Sequence, residues 1–352
     1  MISIIVGYRN RELRRVKRSI DALANQSFTD FELIFVDYGS DPEYQKQVKE
    51  LTELYPFVQY VYTQTQGWFW NRAHALNTGV RFAKGSILLF YDIDLIPESV
   101  FLEKVNLLSF DNIFYTFSCF YLPEHFNYKQ SVLEKDGIHY EQNYVGLCAV
   151  SREIVHEIHG YDEYFMVWGA EDDDFYKRLS NFGIKRFQMQ AFDYRVFHQW
   201  HPTQAPAKPT LWYLTMVKYF YSGDKQQVNS PSWGDRIEDA QRPVFKLIKS
   251  NETNIDFSLE HSNGFLIYND FINQFYENSR KSGCLIFRES KGLTEKKFVN
   301  FFFSKKKASV YLYELKDVTQ FIQYFIGVNR NSIVDYFLQM EEDGLKLFYV
   351  KK

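Results

Sequence analysis

Cysteine is scarce in this 352-residue chain: Cys119, Cys148 and Cys284 are the three present. An odd number at wide spacing argues against a disulfide framework and a CxxC zinc site, and a reducing, cytoplasmic compartment is expected. Long hydrophobic runs are missing too. No stretch approaches the roughly 18 apolar residues needed to span a bilayer. The opening MISIIVGYRNRELRR places its apolar run before its basic residues, the reverse of a secretory signal. Peripheral membrane contact stays open. A surplus of positive charge is also lacking, since the formal net charge is -3. That removes the global reason to expect nucleic acid, and Lys305-Lys306-Lys307 reads as a solvated surface. There is no internal repeat and no low-complexity segment. With 45% hydrophobic and 24% charged residues, the composition is that of an ordinary globular protein long enough for one large domain and a smaller one.

The first ninety or so residues alternate between two periods. ISIIVG from Ile2, FELIFVD from Phe31, FVQYVY from Phe57 and SILLFYD from Ser86 have the Val, Ile, Phe and Tyr content of buried strands. Glu12 to Ala24, Pro42 to Leu54 and Asn71 to Ala83 instead repeat apolar residues every three or four positions, as amphipathic helices do. Strand, helix, strand repeated three times predicts an α/β fold with a mostly parallel sheet and helices on both faces. In such sheets ligands gather beyond the carboxyl ends of the strands. Residues 223–254 are polar and read as a linker between a large domain, 1–222, and a small accessory domain, 255–352. Within the latter, DVTQFIQYFIG and NSIVDYFLQMEEDG read as two helices and LKLFYV as a strand, which suggests a winged-helix-like α+β module.

Four clusters of reactive side chains fall at the carboxyl edge of the predicted sheet. In DID, Asp92 and Asp94 could divide between a divalent cation and a sugar hydroxyl or water, although a solvated strand end would look the same. In WGAEDDD, Glu171, Asp172, Asp173 and Asp174 open a helix. The helix dipole favours acids there, but four in succession exceed capping needs, and their repulsion should raise at least one pKa into the range of a general base. The preceding Trp168 offers an aromatic platform for a sugar face. In FHQWHP, His198 and His201 are spaced to approach one metal, and a carboxylate joined to imidazole suits Mn²⁺. In YRNR, Arg9 and Arg11, with Arg72 of WNRA, suit bidentate contact with a diphosphate.

YRNR, WNRAHALNTG, YDIDLIP, WGAEDDD and a late HxxH, in this order, resemble the motifs of β-1,4-galactosyltransferases and of bacterial chondroitin-polymerase-type and N-acetylgalactosaminyl transferases. The resemblance covers about residues 1–202. It implies a GT-A fold and metal-dependent, inverting transfer of a hexose or N-acetylhexosamine from a UDP-sugar to an acceptor hydroxyl, a glycan being the favoured acceptor. A peptide acceptor and an inactive nucleotide-sugar-binding module are the alternatives. By position, Arg9, Arg11 and Arg72 would contact UDP, and Asp37 the nucleoside. Tyr38 stands where related transferases carry a second acid. Asp94 and His201 would ligate Mn²⁺ or another divalent cation, with His198 at the place of a methionine ligand and Asp92 nearer the sugar or ribose. Asp172 would be the base, Glu171 and Asp173 would contact hydroxyls, and Trp168 would be the aromatic of a closing loop. Either Tyr144 or Asn143 occupies the position that separates galactose from N-acetylgalactosamine donors.

Overall fold

The computed structural model describes residues 1–128, 141–167, 169–202, 211–221, 229, 232–249, 258–261, 275–276, 282–288, 315–342 and 344–352. They form two compact units. The first comprises Met1–Gln66, Trp70–Ala207 and Met216–Ile237, and the second Gly67–Phe69, Lys208–Thr215 and Glu238–Lys352. The stretch read as a linker, 223–254, divides between them after Ile237.

The first unit starts with the predicted alternation: β1 (Ile2–Tyr8), α1 (Leu13–Ala24), β2 (Phe31–Tyr38), α2 (Pro42–Thr52), β3 (Val58–Thr63), α3 (Arg72–Phe82) and β4 (Ile87–Phe90). All the pairings among these four strands are parallel. Beyond β4 come β5 (Leu95–Pro97), α4 (Phe101–Asn106), β6 (Ile113–Tyr121), β7 (Glu141–Ser151), α5 (Arg152–Glu157), α6 (Glu171–Asn181), β8 (Lys185–Met189) and β9 (Val196–His198). The sheet runs β3-β2-β1-β4-β7-β6-β9-β5, with β8 alongside β6. β7 lies antiparallel to both of its neighbours.

Alternation along β1 sends side chains to two cores. Ile2, Ile4 and Val6 join Leu33, Phe35 and Leu89 under Val16, Ile20 and Leu23 of α1 and Val48 of α2. The spacing of those α1 residues is that of one helix face, which is why this segment is helical and lies where it does. Ile5 points to the opposite face, beneath α3. There Gly79 removes a clash, because a Cβ at that position would sit 2.4 Å from Cγ2 of Ile5. The same face receives α6, where Phe175 stacks on Tyr161 with centroids 4.0 Å apart and both rings meet Phe90 edge-on. Helices therefore cover both faces of the sheet, as the two sequence periods imply.

The second unit contains β10 (Ser258–His261), β11 (Ser282–Arg288), β12 (Ile333–Glu341) and β13 (Gly344–Lys351), ordered β10-β11-β13-β12, and the helix Leu315–Val328. The helix matches DVTQFIQYFIG, but NSIVDYFLQMEEDG is a strand, so the expected winged-helix pair of helices is replaced by a four-stranded sheet. Ile333, Val334, Tyr336 and Phe337 are β-branched or aromatic, and the Asp-Gly pair at 343–344 is a hairpin signal that outweighs the helical spacing. A bulge between Ile333 and Asp335 interrupts the β12–β13 register. Asp335 is buried and accepts hydrogen bonds from Arg242 Nε at 2.9 Å, Trp68 Nε1 at 2.9 Å, its own neighbour Tyr336 N at 2.8 Å and Val244 N at 3.1 Å. Arg242 has no exposed surface and is also bonded to the Tyr336 carbonyl. Asp335→Ala should cost about 3–5 kcal/mol in urea unfolding of the second unit, because it strands a guanidinium in the core.

Candidate active site

The carboxyl ends of β1, β2 and β4, the first turns of α3 and α6, and the end of β9 deliver the candidate residues of the first unit. The YRNR turn is fixed by Asn10, whose left-handed φ of 50° suits asparagine. Its side chain donates to Asp41 at 2.8 Å and accepts from the Asp41 amide at 2.9 Å. Asn71 caps α3 by accepting from His74 N at 2.9 Å, which sets Arg72 at the first helical position.

Arg72 is the centre of one cluster. Its Nε lies 3.1 Å from Asp92 Oδ1, its Nη1 2.8 Å from Asp172 Oδ1, and its Nη2 3.0 Å from the Gly146 carbonyl. Tyr161 also donates to Asp172 Oδ1, at 3.2 Å. Both bonds fall on one oxygen, and no described residue hydrogen-bonds Oδ2. Burial pushes the Asp172 carboxyl up to about 7, with Glu171 and Asp92 adding to the rise and Arg72 opposing it. Burial likewise raises Glu171, against the pull of Arg72. Asp173 points to solvent. Asp174 is wholly buried and ion-paired at 2.7 Å with Arg178, which also bonds the carbonyls of Ile158 and Gly160. The four consecutive acids thus split by environment. The turn before them is strained, with positive φ at Val167, Gly169 and Ala170, a costly conformation for a β-branched residue. Trp168 lies outside the described residues.

Asp94, His198 and His201 form a second cluster, with one potential donor atom from each, all within 4.8 Å of one another. His201 Nε2 is 3.0 Å from Asp94 Oδ2, and His198 Nε2 is 3.7 Å from Oδ1. That Oδ1 is buried and accepts no hydrogen bond from a described residue, so a buried acceptor stands open to a cation. Burial alone would raise Asp94, but the hydrogen bond from His201 and the nearby imidazoles hold it below the usual carboxylate range. Burial lowers His198, favouring the neutral imidazole that metal ligation needs. The hydrogen bond to Asp94 raises His201. One carboxylate and two imidazoles form a mixed oxygen–nitrogen donor set that a divalent transition ion, Mn²⁺ included, accepts.

The remaining predicted residues are more dispersed in role. Arg9 donates to the carbonyls of Tyr38 and Thr65 and lies over the Tyr38 ring at 4.8 Å. The Arg11 carbonyl accepts from Tyr8 Oη at 3.1 Å. Asp37 is buried, accepting from Ser40 N at 2.9 Å and Tyr60 Oη at 2.7 Å; burial raises its pKa and those two bonds oppose the rise. Asn143 and Tyr144 fall in β7, with side chains outside the described part. Tyr161 was not foreseen as a site residue, because a tyrosine in HGYDE carries no spacing signal; only the packing of Phe90 and Phe175 brings it to Asp172.

Two family models match this chain: glycosyl transferase family 2 over residues 3–112, and the N-terminal domain of galactosyltransferase over residues 130–201. Over about a third of its length the chain is similar to β-1,4-galactosyltransferases. It is 29% identical over 145 residues to β-1,4-galactosyltransferase 4 of Homo sapiens, covering 37% of each protein. Against β-1,4-galactosyltransferase 1 of Bos taurus it is 31% identical over 131 residues, covering 36% of this chain and 29% of that one. The chain thus spans about a third of the length of these relatives. Among solved structures, GalNAc-T7 with UDP, GalNAc and Mn²⁺ aligns at a TM-score of 0.48 and 15% identity, over 62% of this chain and 47% of that one. The mannosyltransferase PcManGT of Pyrobaculum calidifontis, in complex with GDP-Man and Mn²⁺, aligns at 0.43 and 18%, over 59% and 57%. The observed α/β architecture, with the candidate residues near the carboxyl ends of its parallel strands, agrees with the α/β class expected from the sequence.

Removing a donor from the Asp94 cluster should be readable without any substrate. Asp94→Ala and His201→Ala should each weaken Mn²⁺ binding by about tenfold or more, followed by electron paramagnetic resonance of the free ion. Equal affinity in both variants would exclude the cluster as a metal site.

Proposed function

We propose that this protein is a metal-dependent inverting glycosyltransferase that moves a hexose or N-acetylhexosamine, galactose or N-acetylgalactosamine by preference, from a UDP-sugar to a hydroxyl of a glycan acceptor. The observation that carries the reading is Asp172: a buried carboxylate with one oxygen tied to Arg72 and Tyr161 and the other open, poised near neutral pH. A group so held can accept a proton without losing its orientation.

In this reading Asp172 Oδ2 takes the proton of the acceptor hydroxyl as the acceptor oxygen bonds to the anomeric carbon. The bond from that carbon to the diphosphate oxygen breaks on the opposite face, and the electron pair leaves with UDP, so the configuration inverts. Asp94, His198 and His201 would hold the cation, which when bound supplies Lewis-acid neutralisation of the leaving diphosphate. Arg72 keeps Asp172 aligned and limits how far burial raises its pKa. Glu171 and Asp173 flank the base at the first turn of α6, where they can meet sugar hydroxyls. Asp92, paired with Arg72, would meet the donor sugar or ribose, whereas Asp37 is buried with both oxygens already bonded, so the nucleoside contact assigned to it is not open. Arg9 and Arg11 line the first turn on the UDP side.

The test is mass-spectrometric screening of UDP-Gal, UDP-GalNAc, UDP-Glc and UDP-GlcNAc with Mn²⁺ against sugar and peptide acceptors. Asp172→Asn should reduce transfer by about 10²–10⁴-fold while UDP binding persists. Because the carboxylate is the reacting form, kcat/KM should climb as pH rises through about 7 and level off above it. A variant that turns over normally, or an acid limb centred near 4, would remove Asp172 from the role of base.

A further inference from the structure

Two of the three arginines assigned to UDP by the motifs are already engaged. Arg72 is spent on Asp92, Asp172 and Gly146, and Arg9 on two backbone carbonyls. Arg15 is different. It lies in α1, shortly after the YRNR turn, with a side chain only 15% exposed. Its Nε is buried and has no hydrogen-bond acceptor among the described residues. The carboxylate it faces, Glu12, stands 3.8 Å away, beyond hydrogen-bond range. Glu12 is drawn instead to Arg14, whose Nε and Nη2 lie 2.8 and 2.7 Å from Oε1.

Backbone ties hold Arg15 beside the metal cluster. The side chain of Gln199, fully buried between the two histidines in sequence, donates from Nε2 to the Arg15 carbonyl at 3.0 Å. The Gln199 amide donates to the Asp94 carbonyl at 2.9 Å. The positive field of Arg15 reaches Asp94, His198 and His201 alike. A largely buried guanidinium with an unspent donor calls for an anion. A cation at Asp94–His198–His201 would add to the positive charge there, so the partner that satisfies both is an anion able to bridge them.

Resting on the glycosyltransferase reading above, we propose that Arg15 binds the diphosphate of the nucleotide sugar, sharing it with the cation at Asp94, His198 and His201. Two consequences follow from the charges. Arg15 opposes binding of the bare cation, and it favours the cation and diphosphate together, so each raises the affinity for the other. A departing diphosphate would then meet a fixed guanidinium beside the site at which Asp94, His198 and His201 would hold the cation.

Calorimetry on the full chain separates these effects, with Mn²⁺ alone, UDP in the presence of Mn²⁺, and inorganic pyrophosphate in the presence of Mn²⁺ as probes. Arg15→Gln should weaken UDP and pyrophosphate by about 10- to 100-fold, the scale of a lost charged hydrogen bond. Mn²⁺ alone should bind equally well or more tightly. Arg15→Lys, which keeps the charge, should recover part of the loss and guards against a folding defect in the glutamine variant. Unchanged UDP and pyrophosphate affinities would overturn the assignment. So would a parallel loss of Mn²⁺ affinity, which would mark Arg15 as a structural support, or a wild-type chain that binds neither anion. If the wild type binds pyrophosphate through Arg15 but does not bind UDP, the anion site stands and the UDP-sugar reading falls.

Discussion

One buried guanidinium organises the centre of the first unit. Arg72 begins α3, yet it grips the end of β4 through Asp92, the first turn of α6 through Asp172 and the backbone of β7 through Gly146. Asp92 adds to the rise in pKa of both Glu171 and Asp172, and Glu171 adds to that of Asp172; three carboxylates so close are tolerable only with a cation in their midst. The depth of Arg72 depends in turn on the seat of α3. Asn71 starts the helix at the right residue, and Gly79 lets the helix come down onto Ile5. The sheet, the cap and the close approach therefore all act on where one side chain ends.

Around that pair the acids divide according to what surrounds them. Asp174 is withdrawn from chemistry by its ion pair with Arg178, and Asp173 faces water. Asp172, buried, and Glu171, half-buried, stay beside Arg72 at the start of the helix. The left-handed residues Val167, Gly169 and Ala170 bring the chain abruptly into α6. A smoother entry would require a different loop path, and the strain is borne where the orientation of Asp172 is decided.

The parallel half of the sheet was legible because its strands and helices have unlike periods, and each apolar run is ended by a turn residue or a charge. Asp94, His198, His201, Arg72 and Asp172 were legible because they carry motif spacing or resemblance. Tyr161 and Arg15 were not, since each depends on a neighbour distant in sequence: Phe175 for one, Gln199 for the other. In the second unit, SIVDYFLQM satisfies a helical spacing and a strand composition at once. Pairing with β13, together with the bulge that carries Asp335 inward to Arg242, decides between them. Local sequence could not contain that information, because Arg242 lies far from β12 in the chain.

The donor set proposed for a cation also bears on competition among ions. Magnesium takes oxygen ligands in a near-ideal octahedron and gives up water reluctantly, so a site with two imidazoles and one carboxylate is a poor match for it. Ions later in the Irving–Williams order, zinc among them, bind nitrogen donors more tightly than manganese does. If Asp94, His198 and His201 hold a cation as proposed, the three donors favour scarce transition ions over magnesium, so the ion carried depends on metal supply as much as on affinity.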